Sequence, residues 1–562
     1  MSYFSPDPTR QAFDSFSRGD LATAEHLFRT VLASDPTQPD ALHGMACLAR
    51  AQEQNATAIA LCGKALARRD QLSSSRLARV HLTLGMALMA EGHHEPARAA
   101  LTVSLTLQPL DPRCFAALAD ALLLLGRRSE AREALAKAAG LAADSAMYLT
   151  RLGEIYLEDG ETEQGLQCFE KVVQERSEDG LAWANLGAVL FELGQHDRAR
   201  DALVRACELG APTAETLNNL GLALMALGDL PAARSALGQA LSLRPEDGRI
   251  ANSLGTVLME LEEESTADAL FTAVEQRETG LDREQARFNH ATFLLGKGEF
   301  SKGWEIFESR HVLLGYRPQV SVWDGSGGEA PIAVTAEQGL GDSVQFLRFL
   351  KQAAERRPLR LRFPAADLVP LVAGLDHTRI LPSEGPVEHE ISLLSLPYVL
   401  GLKEAPNPAP YLKTDIRPDW KTIGICWAGN PFYRFDRRRS LKAEWLNPLR
   451  DIAGLNVLSL QRGECPQWME NVDLSTSLDL ARAVSRCALV ISVDTLVAHM
   501  AGATGRPLWL LNRRGGDWRW KNVPWYRNVR QFRPEGFLPE SWPPVVERVA
   551  EALREWEAQQ TF

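Results

Sequence analysis

LAWANLGAVLFELGQHDRARDALVRACELG, residues 181–210, carries a small residue at Gly187, a glycine at Gly194 and a second small residue at Ala199. A step of 34 residues from each of these finds the same feature again along the first half of the chain. The first phase reads Gly85, Ala119, Gly153, Gly187, Gly221 and Gly255, and the second Ala97, Ala131, Gly165, Ala199, Ala233 and Ala267. Between them runs a glycine phase of Gly92, Gly126, Gly160, Gly194 and Gly228. A fixed period of this length predicts two antiparallel helices per unit, with small residues where they cross closely and Gly at the turn. The pattern extends back through Ala46, Ala58 and Ala65 to Gly19, Ala24, Phe28 and Pro36, with an insertion around Arg69–Ser75. At the far end Asn289, Gly296 and Ser301 keep phase but lose the small-residue consensus, as a terminal capping repeat does. About nine units are expected between Pro6 and about Leu314.

The chain has 562 residues, too many for one core, so two or three domains are expected. A formal net charge of −11 argues against a surface that coats nucleic acid. No apolar run approaches the ~20 residues that span a bilayer, and MSYFSPDPTRQAFDSFSRGD lacks the basic start and apolar core of a secretion signal. The eight cysteines are scattered without a CxxC pair and read as buried thiols of a cytoplasmic protein.

The second half is built differently. Twelve of the 13 Trp lie between Trp304 and Trp556, and short apolar runs alternate with helical stretches. Pro331–Ala336 reads as a strand, followed by the loop EQGLGD (Glu337–Asp342) and a helix over Ser343–Arg356. Leu359–Phe363 and Glu390–Leu396 read as further strands. A proline-rich connection, Ala405–Pro418, precedes four more: Thr422–Trp427, Asn456–Leu460, Ala488–Val493 and Pro507–Leu511. Strands alternating with helices predict parallel sheets that bind ligands at their strand ends. The expected division is 1–314 helical repeats, 315–415 a short first lobe and 416–562 a second lobe, with a cleft between the lobes.

Candidate chemistry sits at those strand ends. In Gly339–Asp342, glycines permit close backbone approach and the helix start favours an anion. Asp342 is either a general base for an attacking hydroxyl or a helix N-cap. GNPFYRFDRRRS (429–440) concentrates Arg434, Arg437, Arg438 and Arg439, a set suited to phosphate oxygens unless these arginines simply pair with nearby acids. In SVDTLVAHMAGATG (492–505), Asp494 and Thr495 end a buried strand and His499 follows one helical turn on, beside Gly502. The Thr495 hydroxyl and helix amides suit a diphosphate, and His499 suits a phosphate or sugar oxygen. DWRW (517–520) and PWY (524–526) read as a sugar or nucleobase face or as a wedge of buried Trp. DxD, HExxH, GxxxxGK[ST] and GxSxG are all absent, so the metal, zinc, P-loop and nucleophile-elbow signatures are missing.

The repeats resemble tetratricopeptide (TPR) repeats, and such arrays mostly bind proteins or peptides. In O-GlcNAc transferase an Asn ladder inside the array grips a peptide backbone. Asn185 and Asn219 match that position, while Thr83, Ala117, Arg151, Ser253 and Arg287 interrupt it, so the two Asn are otherwise plain exposed helix positions. EQGLGD, WAGNP…DRRRS, SLQRG, SVDTLVAHMAGATG and DWRW…PWY together resemble bacterial TPR-linked glycosyltransferases, whose catalytic half is similar to the ADP-heptose:lipopolysaccharide heptosyltransferases. The resemblance implies a TPR superhelix followed by an α/β GT-B glycosyltransferase with two Rossmann-like lobes, transferring from a nucleotide-sugar without a metal or other cofactor. It implies Asp342 as base and His499 as its catalytic companion, with Glu337, Gln338, Gly339 and Gly341 forming an acceptor-side loop. It implies donor binding by Asn430, Arg437, Arg439, Ser440, Gln461, Asp494, Thr495, Gly502, Asp517 and Trp518. Repeats joined to a GT-B half resemble the bacterial flagellin glycosyltransferases. The expected function is therefore O-glycosylation of Ser or Thr on a protein held by the repeats, with flagellin as acceptor and a nonulosonic acid such as pseudaminic acid as sugar. The alternatives are glycan transfer of the heptosyltransferase kind and a non-catalytic scaffold.

Overall fold

A computed structural model describes residues 7–210, 212–431, 433, 436–450, 452 and 454–560. Pro6 and Arg434 lie outside the described residues. From Pro8–Ser17 with Leu21–Ser34 to Gly280–Lys297 with Phe300–Phe307, the first half is a succession of helix pairs. The insertion after the second pair holds a short 3-10 turn, Arg69–Gln71.

The small-residue phase has a steric cause. A Cβ on Gly85 would lie 2.6 Å from Leu101 Cγ, and one on Gly221 2.5 Å from Leu237 Cγ. On Gly153 and Gly255 it would lie 2.8 and 2.7 Å from the rings of Phe169 and Phe271. Each glycine thus admits the large apolar residue of its own partner helix. The turn phase is left-handed throughout, with φ from +72° at Gly194 to +90° at Gly228. Glu53 (φ +59°) and Glu262 (φ +65°) occupy the same slot in other repeats, where a Cβ is strained. Glu53→Gly is expected to raise stability by about 1 kcal/mol, read as a higher denaturant midpoint of the full chain.

The chain forms two compact units. The first comprises described residues 7–195 and 204–210, and the second 196–203 and 212–560. The second unit therefore contains the later repeats as well as both sheets. The first sheet holds β1 (Ser321–Val322), β2 (Ile332–Thr335), β3 (Leu359–Arg362), β4 (Ile380–Leu381) and β5 (His389–Ser392), all parallel, in the order β1-β5-β2-β3-β4. The second holds β6 (Asp419–Cys426), β7 (Asn456–Ser459), β8 (Glu470–Asn471), β9 (Cys487–Val493), β10 (Leu508–Leu511) and β11 (Val529–Phe532). Its order is β11-β10-β9-β6-β7-β8, also parallel, which is the order of a doubly wound sheet. β10 is buried along its whole length and β9 nearly so, as parallel strands covered on both faces must be. Strand order reverses between β2 and β5 in one sheet and between β6 and β9 in the other. EQGLGD follows β2, Trp427–Asn430 follows β6 and Asp494-Thr495 follows β9, so the motifs sit where such sheets bind ligands.

Two sequence expectations change. The helix after EQGLGD begins at Leu340, runs to Phe346, passes through a 3-10 turn (Leu347–Phe349) and resumes over Leu350–Arg356. Gly339 is the N-cap, which places Asp342 inside the first turn and removes the capping role for it. The last repeat is not a solvent-facing cap. Trp304 packs edge-on against Phe346, Trp518 and Trp525 at 5.8, 6.0 and 6.3 Å between ring centroids. Gly296 lies so close that an added Cβ would sit 3.4 Å from Trp518 Cβ. The consensus lapses in this repeat because its face is matched to tryptophans.

Candidate functional site

A cavity of about 650 Å3 lies at the ends of β2, β6, β7 and β9. Behind β6, the Ala428 N–H donates to Gln461 Oε1 (3.0 Å) and the Gly429 N–H to Ser440 Oγ (2.9 Å), so Gln461 and Ser440 shape the loop. Asp436 accepts from Ser440 Oγ and Arg439 Nε, each at 2.9 Å. Arg439 then reaches the carbonyl of Asp494 (2.8 Å) and lies 4.4 Å over the Tyr433 ring. Gly429 is required for this: a Cβ there would fall 2.3 Å from Arg439 Nη2. Gly429→Ala is expected to dislodge the guanidinium and weaken binding of inorganic pyrophosphate, used as an anion probe, about tenfold or more, by titration calorimetry, with little change in stability because the displaced group is the end of a flexible chain.

Beyond β9, Asp494 accepts from Trp520 Nε1 (2.6 Å). The helix Leu496–Thr504 has no side-chain cap, so the N–H groups beside Thr495 remain available to an anionic oxygen. His499 is buried, bonded through Nδ1 to Tyr526 Oη (2.9 Å) and stacked on Trp520 at 5.1 Å. Burial and the nearby Arg519 charge push its pKa down to about 3. It is therefore a neutral hydrogen-bonding group across the physiological range, not a cation.

The residue that organises the centre is Arg519. Its Nη2 pairs with Asp342, its Nη1 donates to Asp517 (2.9 Å) and its Nε to Gln345 Oε1 (2.7 Å). Burial lifts Asp342 above the usual carboxylate range, with Arg519 pulling against it and Asp517 adding to it. Burial and the Asp517 charge lift Asp494 likewise. Burial acts on Asp517 too, but Arg519 outweighs it and holds that carboxylate low. The Asp342 side chain keeps 22% of its surface exposed. No group of three or more His, Cys, Asp or Glu side chains converges as a metal site among the described residues.

A second cavity, about 390 Å3, adjoins the first and shares Asp342, Tyr433, Asp517 and Arg519 with it. Its other wall comes from the repeat helix Gly280–Lys297, through Gln285, Asn289 and Thr292, and it also touches Gln338, Trp518 and Lys521.

Models of the tetratricopeptide repeat match residues 150–212 and 214–247. The chain contains TPR repeats. Protein FlbA of Caulobacter vibrioides is 26% identical over an alignment of 339 positions that covers 49% of this chain and 56% of FlbA. The chain thus spans about half the length of the curated relative it matches. Among solved structures, pilF of Pseudomonas aeruginosa is 18% identical (38% of this chain, 97% of pilF, TM-score 0.32). The C-terminal part of a TPR protein from Cytophaga hutchinsonii is 16% identical (44% of this chain, 99% of that one, TM-score 0.37). YrrB, a TPR protein with an unusual peptide-binding site, is 20% identical (33% of this chain, 95% of YrrB, TM-score 0.28).

Of the site residues expected from the sequence, Gly339, Gly341, Asp342, Asn430, Arg439, Gln461, Asp494, Thr495, His499 and Asp517 line the first cavity. Gln338 lines the second. Arg437 does not join them: it is half exposed and paired with Asp197 (2.5 Å) of a repeat helix. Trp518 is buried in the aromatic wedge and lines only the second cavity. Gly502 supports the site indirectly, since a Cβ there would lie 2.2 Å from the Tyr526 ring. Glu337 binds Arg310 (2.8 Å) and Ser392 and braces the first sheet. Asn185 and Asn219 are half-buried in helices of different compact units. An amide chain runs from Gln285 to Asn289 (3.3 Å) and from Asn289 to Asn252 (3.0 Å). Sequence reading missed Arg519, Tyr433 and Tyr526, although DWRW and PWY pointed to their segments.

Proposed function

We propose that this chain is a metal-independent glycosyltransferase of GT-B type that moves a sugar from a nucleotide-sugar to a Ser or Thr of a protein held by its repeats. The observation that carries the reading is Asp342 on the wall shared by two cavities, one framed by strand ends and the other by a repeat helix. The donor occupies the first cavity, its phosphates against Arg439, Thr495 and the start of Leu496–Thr504. The acceptor hydroxyl approaches through the second. Asp342 takes its proton, the oxygen bonds to the anomeric carbon, and the bond from that carbon to the phosphate oxygen breaks. Arg439, the helix N–H groups and the neutral His499 stabilise the departing phosphate. Flagellin is the acceptor class that the architecture suggests, with a nonulosonic acid as sugar, and transfer then takes place in the cytoplasm.

The test is intact-mass analysis of flagellin incubated with the full chain and a panel of nucleotide-sugars. A discrete increment on Ser or Thr, absent with Asp342→Asn, supports the proposal. An increment only on a lipid-linked glycan offered in parallel supports the heptosyltransferase-like alternative. Binding of both substrates with no product on any acceptor leaves a scaffold.

A further inference from the structure

We infer that Arg519, clamped by Asp517 and Gln345, is a positioning residue that aims the Asp342 carboxylate along the wall between the two cavities. The guanidinium has little freedom. Its side chain is 10% exposed, its Nε and Nη1 are committed to Gln345 and Asp517, and its Cζ lies 4.5 Å over the Trp518 ring. Asp517 is fixed in turn, because the Arg519 backbone N–H donates to its Oδ1 (3.0 Å). Only Nη2 remains, and it is directed at Asp342. Gln345 and Asp342 belong to one short helix, Leu340–Phe346, so a single guanidinium ties that helix to the Asp517–Trp520 segment at two points. The arrangement orients a base without covering it, since Asp342 still borders both cavities.

The charged and titratable groups around Asp342 come from several elements. Arg519 and Asp517 face it from the Trp518–Trp520 turn, with Lys521 beyond. His499 faces it from Leu496–Thr504, where it packs against Gly341. Asp494, Arg439 and Tyr433 complete the wall. Arg519 favours ionisation of Asp342, while Asp517 and burial oppose it. The two neighbours therefore pull in opposite directions.

The inference rests on the transferase reading only for what Asp342 does once aimed, so two readouts are used on the full-length chain. One is the carboxyl 13C titration of Asp342 in aspartate-labelled protein, assigned with Asp342→Asn. The other is the acid limb of the pH dependence of sugar transfer. Arg519→Gln is expected to move both to higher pH by about one unit or more, because the base loses its stabilising cation. Asp517→Asn is expected to move both to lower pH, and Arg519→Lys to fall between wild type and Arg519→Gln. Folded variants in which the Asp342 titration stays put, or moves the same way in Arg519→Gln and Asp517→Asn, overturn the inference. Opposite shifts in a chain that transfers no sugar uphold the positioning and sink the transferase reading instead.

Discussion

Asp342→Asn is expected to slow the proposed sugar transfer by about 10²- to 10⁴-fold, the usual worth of a general base, with the affinities for the proposed donor and acceptor unchanged. The substitution keeps the shape of the side chain and an oxygen that can accept from Arg519, so the wall between the cavities stands and only proton acceptance is lost. Single-turnover transfer followed by intact mass gives the rate, and calorimetry gives the two affinities. Burial has already lifted this carboxylate towards the working range of a base, and 22% of its surface remains open to the cavities. Turnover at the wild-type rate would remove Asp342 from the mechanism.

The largest effect on stability is expected at Glu260, which lines the second cavity together with Asp342. It ends the repeat helix Gly248–Glu260, is 2% exposed, and accepts from Arg438 Nη1 (2.9 Å), Arg513 Nη2 (3.1 Å) and Arg513 Nη1. Both arginines belong to the second sheet's loops and are themselves buried. Glu260→Ala leaves two buried guanidinium groups facing each other and is expected to cost about 3–5 kcal/mol, measured by denaturant unfolding of the full chain at neutral pH. Burial opposes ionisation of Glu260, but Arg513 and Arg438 outweigh it and bring its folded pKa below the unfolded value. Its contribution is therefore present above the unfolded pKa and lost as pH falls through the folded one, so the gap between variant and wild type should close in acid. A loss under about 0.5 kcal/mol at neutral pH would mean that water or rearrangement compensates the buried arginines.

The Glu260 cluster also explains part of the DRRRS run. Three adjacent arginines read alike in sequence, yet each has a different task. Arg437 holds Asp197 at the surface, Arg438 is buried on Glu260, and only Arg439 enters the cavity. Their neighbours come from segments far apart in the chain, and no local pattern encodes such partners.

Much else was legible from residue order. A 34-residue spacing of small residues is a local steric rule, because each glycine meets its own partner helix within the same repeat, and periodicity exposes that without a tertiary fold. Apolar runs ending in polar motifs likewise announced β2, β3, β5, β6, β7, β9 and β10 to within a few residues, since strands covered by helices on both faces are rich in apolar residues. The edge strands β1, β4, β8 and β11 were not announced: the first three are two residues long and β11 carries Arg530 and Gln531, so none presents an apolar run.

Residue order by itself thus determined the helical repeats, the alternation of strands and helices, and the strand-end motifs that line the first cavity, because each depends on contacts close in sequence or on burial alone. Tertiary structure decided that Arg519 holds Asp342, that Gln285, Asn289 and Asn252 join in one amide chain, and that Glu260 locks a repeat to the second sheet. Those outcomes depend on which buried charges and amides are brought within hydrogen-bond reach, and that is set by how distant elements pack.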